Sequence, residues 1–304
     1  MNNVINTKVC IFRNLKDFKF VPKLESGKKE EIVNILSTIL PKKMKLLHVG
    51  ELDEKTTNYL KENNLLSPNC HNLFVSDKDN LSINLFSEEH LTIISTTDGF
   101  SRDAIKKAEE ISNLVSQKVS LAYSDDYGYI MSDLKKIGSG LFLNCTMALP
   151  ALSEINKIEQ LKSNLKNLGY LVKPTKKASI FEIETICNLG LDEEEIFDDF
   201  EKTIKRIEEL EVESAKMIDV TNHDDLLDKT ARSTAILSSA YLLTYDELNN
   251  MINKLRIAKC LNLCDISVEK INKLQKLAQN SADFISASQM KELANKTKEI
   301  IKGE

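Results

Sequence analysis

Between Ser26 and Leu40 the apolar residues Ile32, Val33, Leu36, Ile39 and Leu40 recur at helical spacing, and Pro41 closes the run, which predicts a first helix. From Leu81 the period shortens. Leu81-Ser-Ile-Asn-Leu-Phe86 alternates as a strand does, Leu91 to Ser95 can return beside it, and Ser101 caps a helix whose Ile105, Ala108, Ile111 and Val115 face one way. Lys118 to Tyr123, Gly128 to Ser132 and Leu141 to Leu149 read as extended. Several strands with few long crossovers predict a mainly antiparallel sheet covered by helices.

After Gly190 the pattern is helical almost to the end. Asp192 stands as N-cap before Glu193, Glu194 and Glu195, acids suited to the positive end of a helix dipole, and Ile196, Phe200, Ile204, Ile207 and Leu210 form the apolar stripe. A second helix is expected on Leu227, Ala231, Thr234, Leu237 and Tyr241. Thr244 and Glu247 make a capping box for a third, which carries Leu248, Ile252, Leu255 and Ala258. A length of 304 residues suggests two units, an α+β unit over 1–218 and an all-α unit over 222–304, with the boundary near Asp219 to Asn222. The second unit is small for its apolar stripes, so the surface of Leu237, Tyr241 and Leu255 is expected to serve association.

The composition, 42% hydrophobic and 29% charged with 9 Gly and 5 Pro, excludes disordered and collagen-like classes. A formal net charge of −5 argues against nucleic acid or a membrane surface as partner, because both are usually held by basic faces. No basic start leads into an apolar run and no 18 apolar residues stand in a row, so a cytoplasmic location is expected. The cysteines Cys10, Cys70, Cys145, Cys187, Cys260 and Cys264 form no Cys-x-x-Cys pair, which fits reduced thiols. Cys260 and Cys264 are expected on one helix face, but no histidine lies near them and no metal is expected.

Particular motifs then carry chemistry. Arg13-Asn-Leu-Lys-Asp-Phe18 resembles the Arg-Asn-Leu-Lys-Asp-(Tyr or Phe) stretch of the bacterial protein arginine kinases, the McsB-type ATP:guanidino phosphotransferases of the phosphagen kinase group. Ser87-Glu-Glu-His-Leu91 looks like their Glu-Glu-Asp-His-Leu segment. Gly128-Tyr129, Gly138-Ser-Gly-Leu141 and Leu149-Pro-Ala-Leu152 match their Gly-Tyr-Leu, Gly-Thr-Gly-Leu and Leu-Pro-Ala-Leu at ungapped spacing. Leu189-Gly-x-x-Glu-Glu-Glu-Ile196 resembles the opening of the family's long late helix, and Leu227 to Leu237, Leu243 to Glu247 and Leu255-Arg256 extend the similarity. The resemblance implies a guanidino-kinase-like antiparallel sheet followed by a helical domain used in dimerisation and client recognition. It also implies transfer of the terminal phosphoryl group of ATP to an arginine side chain of a protein.

Such a transfer consists mostly of positioning and charge neutralisation, and the family uses arginines because a guanidinium forks onto phosphate oxygens. At the positions of those arginines this chain has Lys8, Cys10, Thr92 and Phe142. The Cys and Asn of the family's Cys-Pro-Thr-Asn fall on Asp133 and Lys136, its nucleotide-side histidine falls on Ala148, and its Gly-Glu-Gly-Ser-Glu loop has no counterpart in Lys173 to Ser179. A bias toward lysine, visible in five arginines against 36 lysines, accounts for Lys8 only. Three missing contacts to a charged ligand, at about 1.5 to 3 kcal/mol each, remove several kcal/mol of affinity or transition-state stabilisation.

Glu88 occupies the position of the family's catalytic carboxylate, with Glu89 and His90 beside it. It reads equally as a strand-end surface group, and His90 as a packing or hydrogen-bonded residue. Gly138 and Gly140 would let backbone approach a phosphate. Lys135, Lys136, Lys173, Lys176 and Lys177 form either a loose anion site or, more simply, a solvated face. No arginine follows Arg256, so Lys291-Glu-Leu-Ala-Asn295 lacks both arginines of the family's phosphoarginine-reading Arg-Asp-x-x-Arg-Ala motif. The expectation is a regulatory or scaffolding pseudokinase of the arginine-phosphorylation and stress-response system. It would need no cofactor and would associate with itself or with proteins of that system. The alternatives are a divergent kinase that uses Mg-ATP and Glu88, or an enzyme of other chemistry on the inherited fold.

Overall fold

The computed structural model describes residues 2–76, 78–186, 190–279 and 286–302. Cys187 and Leu189, both named above, lie outside them. Ten strands are described: β1 Val4–Arg13, β2 Lys45–His48, β3 Asn72–Ser76, β4 Leu81–Leu85, β5 Leu91–Asp98, β6 Tyr123–Ser124, β7 Gly128–Tyr129, β8 Leu141–Ala148, β9 Tyr170–Pro174 and β10 Ile180–Thr185. The helices are α1 Ser26–Ile39, α2 Glu54–Glu62, α3 Asp103–Ser116, α4 Pro150–Glu154, α5 Ile158–Asn167, α6 Glu193–Ser239, α7 Tyr245–Cys260, α8 Val268–Gln279 and α9 Ala287–Lys302.

Eight strands form one sheet in the order β2-β3-β4-β5-β1-β8-β10-β9, and every neighbouring pair is antiparallel. Strand alternation gives the sheet two unlike faces. Val9 and Ile11 of β1, Ile83 of β4, Ile93 of β5, and Leu141, Leu143 and Cys145 of β8 enter the main core with residues of α1, α3, α5 and the start of α6. On the other face the register lines up Lys8 with Asn144 and Cys10 with Phe142 across β1 and β8, and Asn144 with Glu184 across β8 and β10. This second face carries the polar residues.

The first helix, the strands from Leu81 and Leu91, the helix after Ser101 and the strand from Leu141 all form as their periodicity predicts. Lys118 to Tyr123 and Gly128 to Ser132 do not extend as far as expected: the ladder is confined to β6 and β7, a separate two-stranded ribbon pairing Tyr123 with Tyr129. Apart from the coarse antiparallel sheet, the pattern assigned nothing from Lys42 to Asn80 or from Ser153 to Gly190, where the structure has β2, α2, β3, α5, β9 and β10.

In the C-terminal third, the helix opened by Asp192 does not stop before Leu227. Asp192 and Glu195 form a reciprocal capping box, and α6 then runs for 47 residues with one non-helical residue, Asn222 at φ −143° and ψ 42°. The buried residues beyond it are Leu226, Thr230, Ser233 and Leu237, so Leu237 is buried as expected while Leu227 and Thr234 lie one position beside the buried face. Leu227 is exposed and Tyr241 lies past the helix end. Leu237 and Leu255, expected at an associating surface, are fully buried in a second core with Leu248, Ile252, Ile271, Leu274 and Leu293. Cys260 ends α7 while Cys264 lies in the following loop, so the two do not share a helix face.

Between the two cores, Glu211 of α6 is fully buried and accepts hydrogen bonds from the N–H groups of Ala151 (2.6 Å) and Leu152 (2.9 Å), capping α4. Its nearest compensating charge is Arg256 of α7, itself buried and bonded to the Asn2 carbonyl (3.2 Å) and Asn272 Oδ1 (2.8 Å). Burial pushes the Glu211 carboxyl up to about 7, against the opposing pull of the two N–H groups and Arg256. An acid raised in this way favours folding below its unfolded value of 4.5 and loses that contribution as pH rises through about 7. Urea unfolding at several pH values should show a loss on the order of 3 kcal/mol from this group between those limits. That slope should disappear in Glu211→Gln, and equal slopes in the two proteins would refute the assignment.

Candidate functional site

The end of β1 organises the polar end of the sheet. Arg13 is 3% exposed, and its guanidinium donates to Ser112 Oγ (3.0 Å) and to the carbonyls of Phe12 and Ser139 (2.8 Å each). The amide of Asn14 donates to Glu89 Oε2 (2.6 Å) and to the Ile130 carbonyl (3.2 Å), while its Oδ1 accepts from the His90 backbone N–H (2.9 Å). Glu89 also accepts from the Ser132 N–H (2.9 Å) and hydroxyl (2.7 Å). His90 Nδ1 accepts from the Leu15 N–H (3.0 Å), so Nε2 carries the proton and donates to the Lys19 carbonyl (2.9 Å). Burial lowers the His90 pKa, which keeps that neutral tautomer. Both residues beside Glu88 are therefore enclosed in hydrogen bonds to the framework.

Gly140 is explained by the same corner. Gly140 has φ +62°, and a Cβ there would lie 2.8 Å from Arg13 Nη1, Met131 Cε and the Phe12 carbonyl. The missing side chain makes room for the buried guanidinium, so the approach it permits is to Arg13.

Beyond this corner lies a cleft of about 380 Å³ on the polar face, and it gathers Lys8, Cys10, Glu88, Asp133, Lys136 and Phe142. Thr92 and Ala148 stand apart. Thr92 is buried on β5 opposite Phe12, with its hydroxyl 3.2 Å from Ser87 Oγ. Ala148 is buried at the far end of β8 with Ile5 and Ile180. The five residues 175–179 that join β9 to β10 lie at the Ala148 end of the sheet, since Ile180 pairs with Ala148 while Glu184 pairs with Asn144. Among the polar cleft residues that escaped the sequence reading are Glu184, whose carboxylate pairs with Lys173, and Asn144. The alternation in Ile180-Phe-Glu-Ile-Glu-Thr185 was the available signal.

Glu88 projects at the mouth, its side chain 62% exposed, and its carboxylate is ion-paired with Lys136. The Lys136 side chain is only 11% exposed and its ammonium lies 4.1 Å from the centre of the Phe12 ring. Burial lowers the Lys136 pKa and raises that of the Cys10 thiol, the latter opposed by Lys8 and Lys136. Asp133 caps the short 3-10 turn Leu134–Lys136 by accepting from the Lys135 N–H at 3.0 Å. The described lining thus holds three lysines, Lys8, Lys135 and Lys136, against three carboxylates, Glu88, Asp133 and Glu184. That balance suits a polyphosphate poorly, because no forked guanidinium faces the cleft and one of the lysines is already engaged. Among the described residues no His, Cys, Asp and Glu cluster could hold a metal ion, and no helix is long and apolar enough to cross a membrane.

Residues 28–214 match the model of the ATP:guanido phosphotransferase C-terminal catalytic domain. A protein-arginine kinase of Clostridium perfringens (strain ATCC 13124) is 27% identical over 309 residues, covering 95% of this chain and 90% of the relative. Another from Exiguobacterium sp. is 26% identical over 286 residues, covering 89% and 82%. Among solved structures, the duplicated taurocyamine kinase from Schistosoma mansoni with bound transition-state-analogue components is similar at a TM-score of 0.64 and 18% identity, over 81% of this chain and 38% of that one. Lombricine kinase gives 0.61 at 16% identity, over 69% and 66%. This chain therefore spans less than two thirds of either solved chain, and at these identities the likeness concerns the fold.

Neighbouring glutamates should respond in opposite ways. Glu89→Ala strands the Asn14 amide and the Ser132 N–H in the interior and should cost about 3 kcal/mol or more in urea unfolding. Glu88→Ala removes an exposed partner and should change stability by less than about 1 kcal/mol. Equal costs would show that the corner is not built as described.

Proposed function

The chain belongs to the ATP:guanido phosphotransferase family, and from that premise we propose that it is a degenerate protein arginine kinase homologue with a regulatory or scaffolding role. The observation that carries this reading is the ion pair of Lys136 with Glu88. In the expected chemistry the carboxylate at this position receives the guanidinium of the target arginine. Here an ammonium of the same chain sits on it, held over the Phe12 ring with little access to water. The substrate-side anion is occupied, and the donor side offers Cys10 and Phe142 where cations would meet phosphate oxygens. Removal of either feature alone would slow a phosphoryl transfer that depends on fixed charges, and the two act together. Partners on this reading are proteins of the arginine-phosphorylation system or a second copy of the chain, with residues 222–304 as the associating part and the cytoplasm as the compartment.

A second reading, an active divergent kinase using Mg-ATP, is favoured by the relatives, protein-arginine kinases that are similar along nearly the whole chain. On that reading Glu88 orients the target guanidinium, and Lys8, Lys135 and Lys136 replace arginines around the phosphates.

Thermal unfolding with Mg-ATP separates the two. A ligand at 100 times its dissociation constant adds about 2.7 kcal/mol of stability, so binding at about millimolar nucleotide is visible as a raised Tm. The expected result is no shift, and no phosphoarginine on an arginine-bearing protein incubated with the chain and Mg-ATP. A clear shift abolished by Lys135→Ala with Lys136→Ala, or phosphoarginine formation lost in Glu88→Gln, would replace the first reading by the second.

A further inference from the structure

A second cleft, of about 600 Å³, opens on the other side of Arg13, between the β6–β7 ribbon and the start of α6. Its wall is aromatic. Tyr123 and Tyr129 pack edge to face with ring centres 5.2 Å apart, and Tyr127 stands on the turn between their strands. Tyr123 is 57% and Tyr127 62% exposed, so two large rings on a ribbon outside the main sheet face water. Hydrophobic burial does not account for them.

The charges around these rings are mostly negative. Asp126 lies exposed on the same turn, and Glu193 at the start of α6 lines the opposite wall. Burial, joined by repulsion from Glu193 and Glu194, holds the Glu109 carboxyl above its usual range. The cation facing this group from inside is Arg13, which lies 3.9 Å from Glu193 with its guanidinium centred 3.5 Å over the Tyr129 ring. The molecule thus already holds one guanidinium against this aromatic cluster, while more than half of the Tyr123 and Tyr127 surface and the exposed Asp126 face solvent.

We propose that the Tyr123–Tyr127 ledge, with Asp126 and Glu193, is a docking site for an arginine side chain on a basic segment of a partner protein. A planar guanidinium can lie on a tyrosine face and still fork onto a carboxylate, which an ammonium does less well. A peptide-borne arginine is the fitting source, because the α-carboxylate of the free amino acid would meet Asp126 and Glu193 with like charge. The site is separate from the Glu88 cleft and does not depend on whether that cleft transfers phosphate.

The test is calorimetric titration of the intact protein with a blocked glycine–serine peptide carrying two arginines, its citrulline counterpart, its lysine counterpart, and free arginine. Saturable binding of the arginine peptide is expected, weaker for lysine and free arginine and lost with citrulline, whose side chain is neutral. Tyr123→Ala with Tyr127→Ala, and separately Asp126→Asn, should each weaken it about tenfold or more, while Glu88→Gln should leave it unchanged. These side chains are exposed, and an unaltered Tm confirms that each variant folds. Absence of saturable binding, equal binding of citrulline, or binding that survives the ledge variants but is lost in Glu88→Gln would overturn the proposal.

Discussion

The buried corner at the end of β1 is the constraint on which the site depends. A guanidinium and a carboxylate withdrawn from water are tolerated only when their hydrogen-bonding capacity is met, since each uncompensated charge costs several kcal/mol. Arg13 meets the requirement with α3 and the carbonyls of Phe12 and Ser139, and Glu89 meets it with Asn14, Ser132 and Asp133. The bonds reach the end of β1, the turn that carries Glu88, the segment from Ile130 to Gly140, and α3. Those four pieces of chain are thereby held in one arrangement, and the position of the Glu88 backbone follows from its neighbour's burial. The motif residues that carry the family resemblance near the start of the chain thus serve the scaffold of the site, and the reacting groups lie beyond them.

Past this corner, charge balance decides what the cleft can hold. The sheet's polar face and its loops meet in one cleft, where three lysines are matched by three carboxylates. Lys136, nearly enclosed and lying over Phe12, is ion-paired with the exposed Glu88. The carboxylate–aromatic cluster on the other side of Arg13 has the opposite character, with more anions than cations and its rings turned outward.

The long α6 couples these features to the C-terminal helices. Its first turns pack Phe197, Phe200 and Ile204 beneath the sheet, its middle buries Glu211 against α4, and its end places Leu237 in the second core. Ala151, Ala215, Ile218, Leu226 and Ile257 form a continuous apolar seam across the middle. Separation of the helical third from the sheet would therefore expose both apolar surface and the Glu211 and Arg256 charges.

Local order along the chain was sufficient for the elements whose signal is local. The N-cap at Asp192, the capping box at Thr244, and the stripes from Ile105 to Val115 and from Leu248 to Ala258 appear where sequence spacing places them, because a cap or an amphipathic face is decided within a few residues. Of the positions named from the family motifs, Lys8, Cys10, Glu88, Asp133, Lys136 and Phe142 line one cleft, while Thr92 and Ala148 lie away from it. The short strands β2, β3 and β9 carried too few residues to show a period, and they are defined by pairing with a neighbouring strand. The buried face of the last turns of α6 runs through Leu226, Thr230, Ser233 and Leu237, and its two hydroxyl residues gave no hydrophobic signal. Above all, sequence could not distinguish Glu88 from Glu89. The two are adjacent and chemically identical, and only the tertiary structure, by enclosing one against Asn14 and Ser132 and leaving the other to Lys136 and solvent, gave them different work.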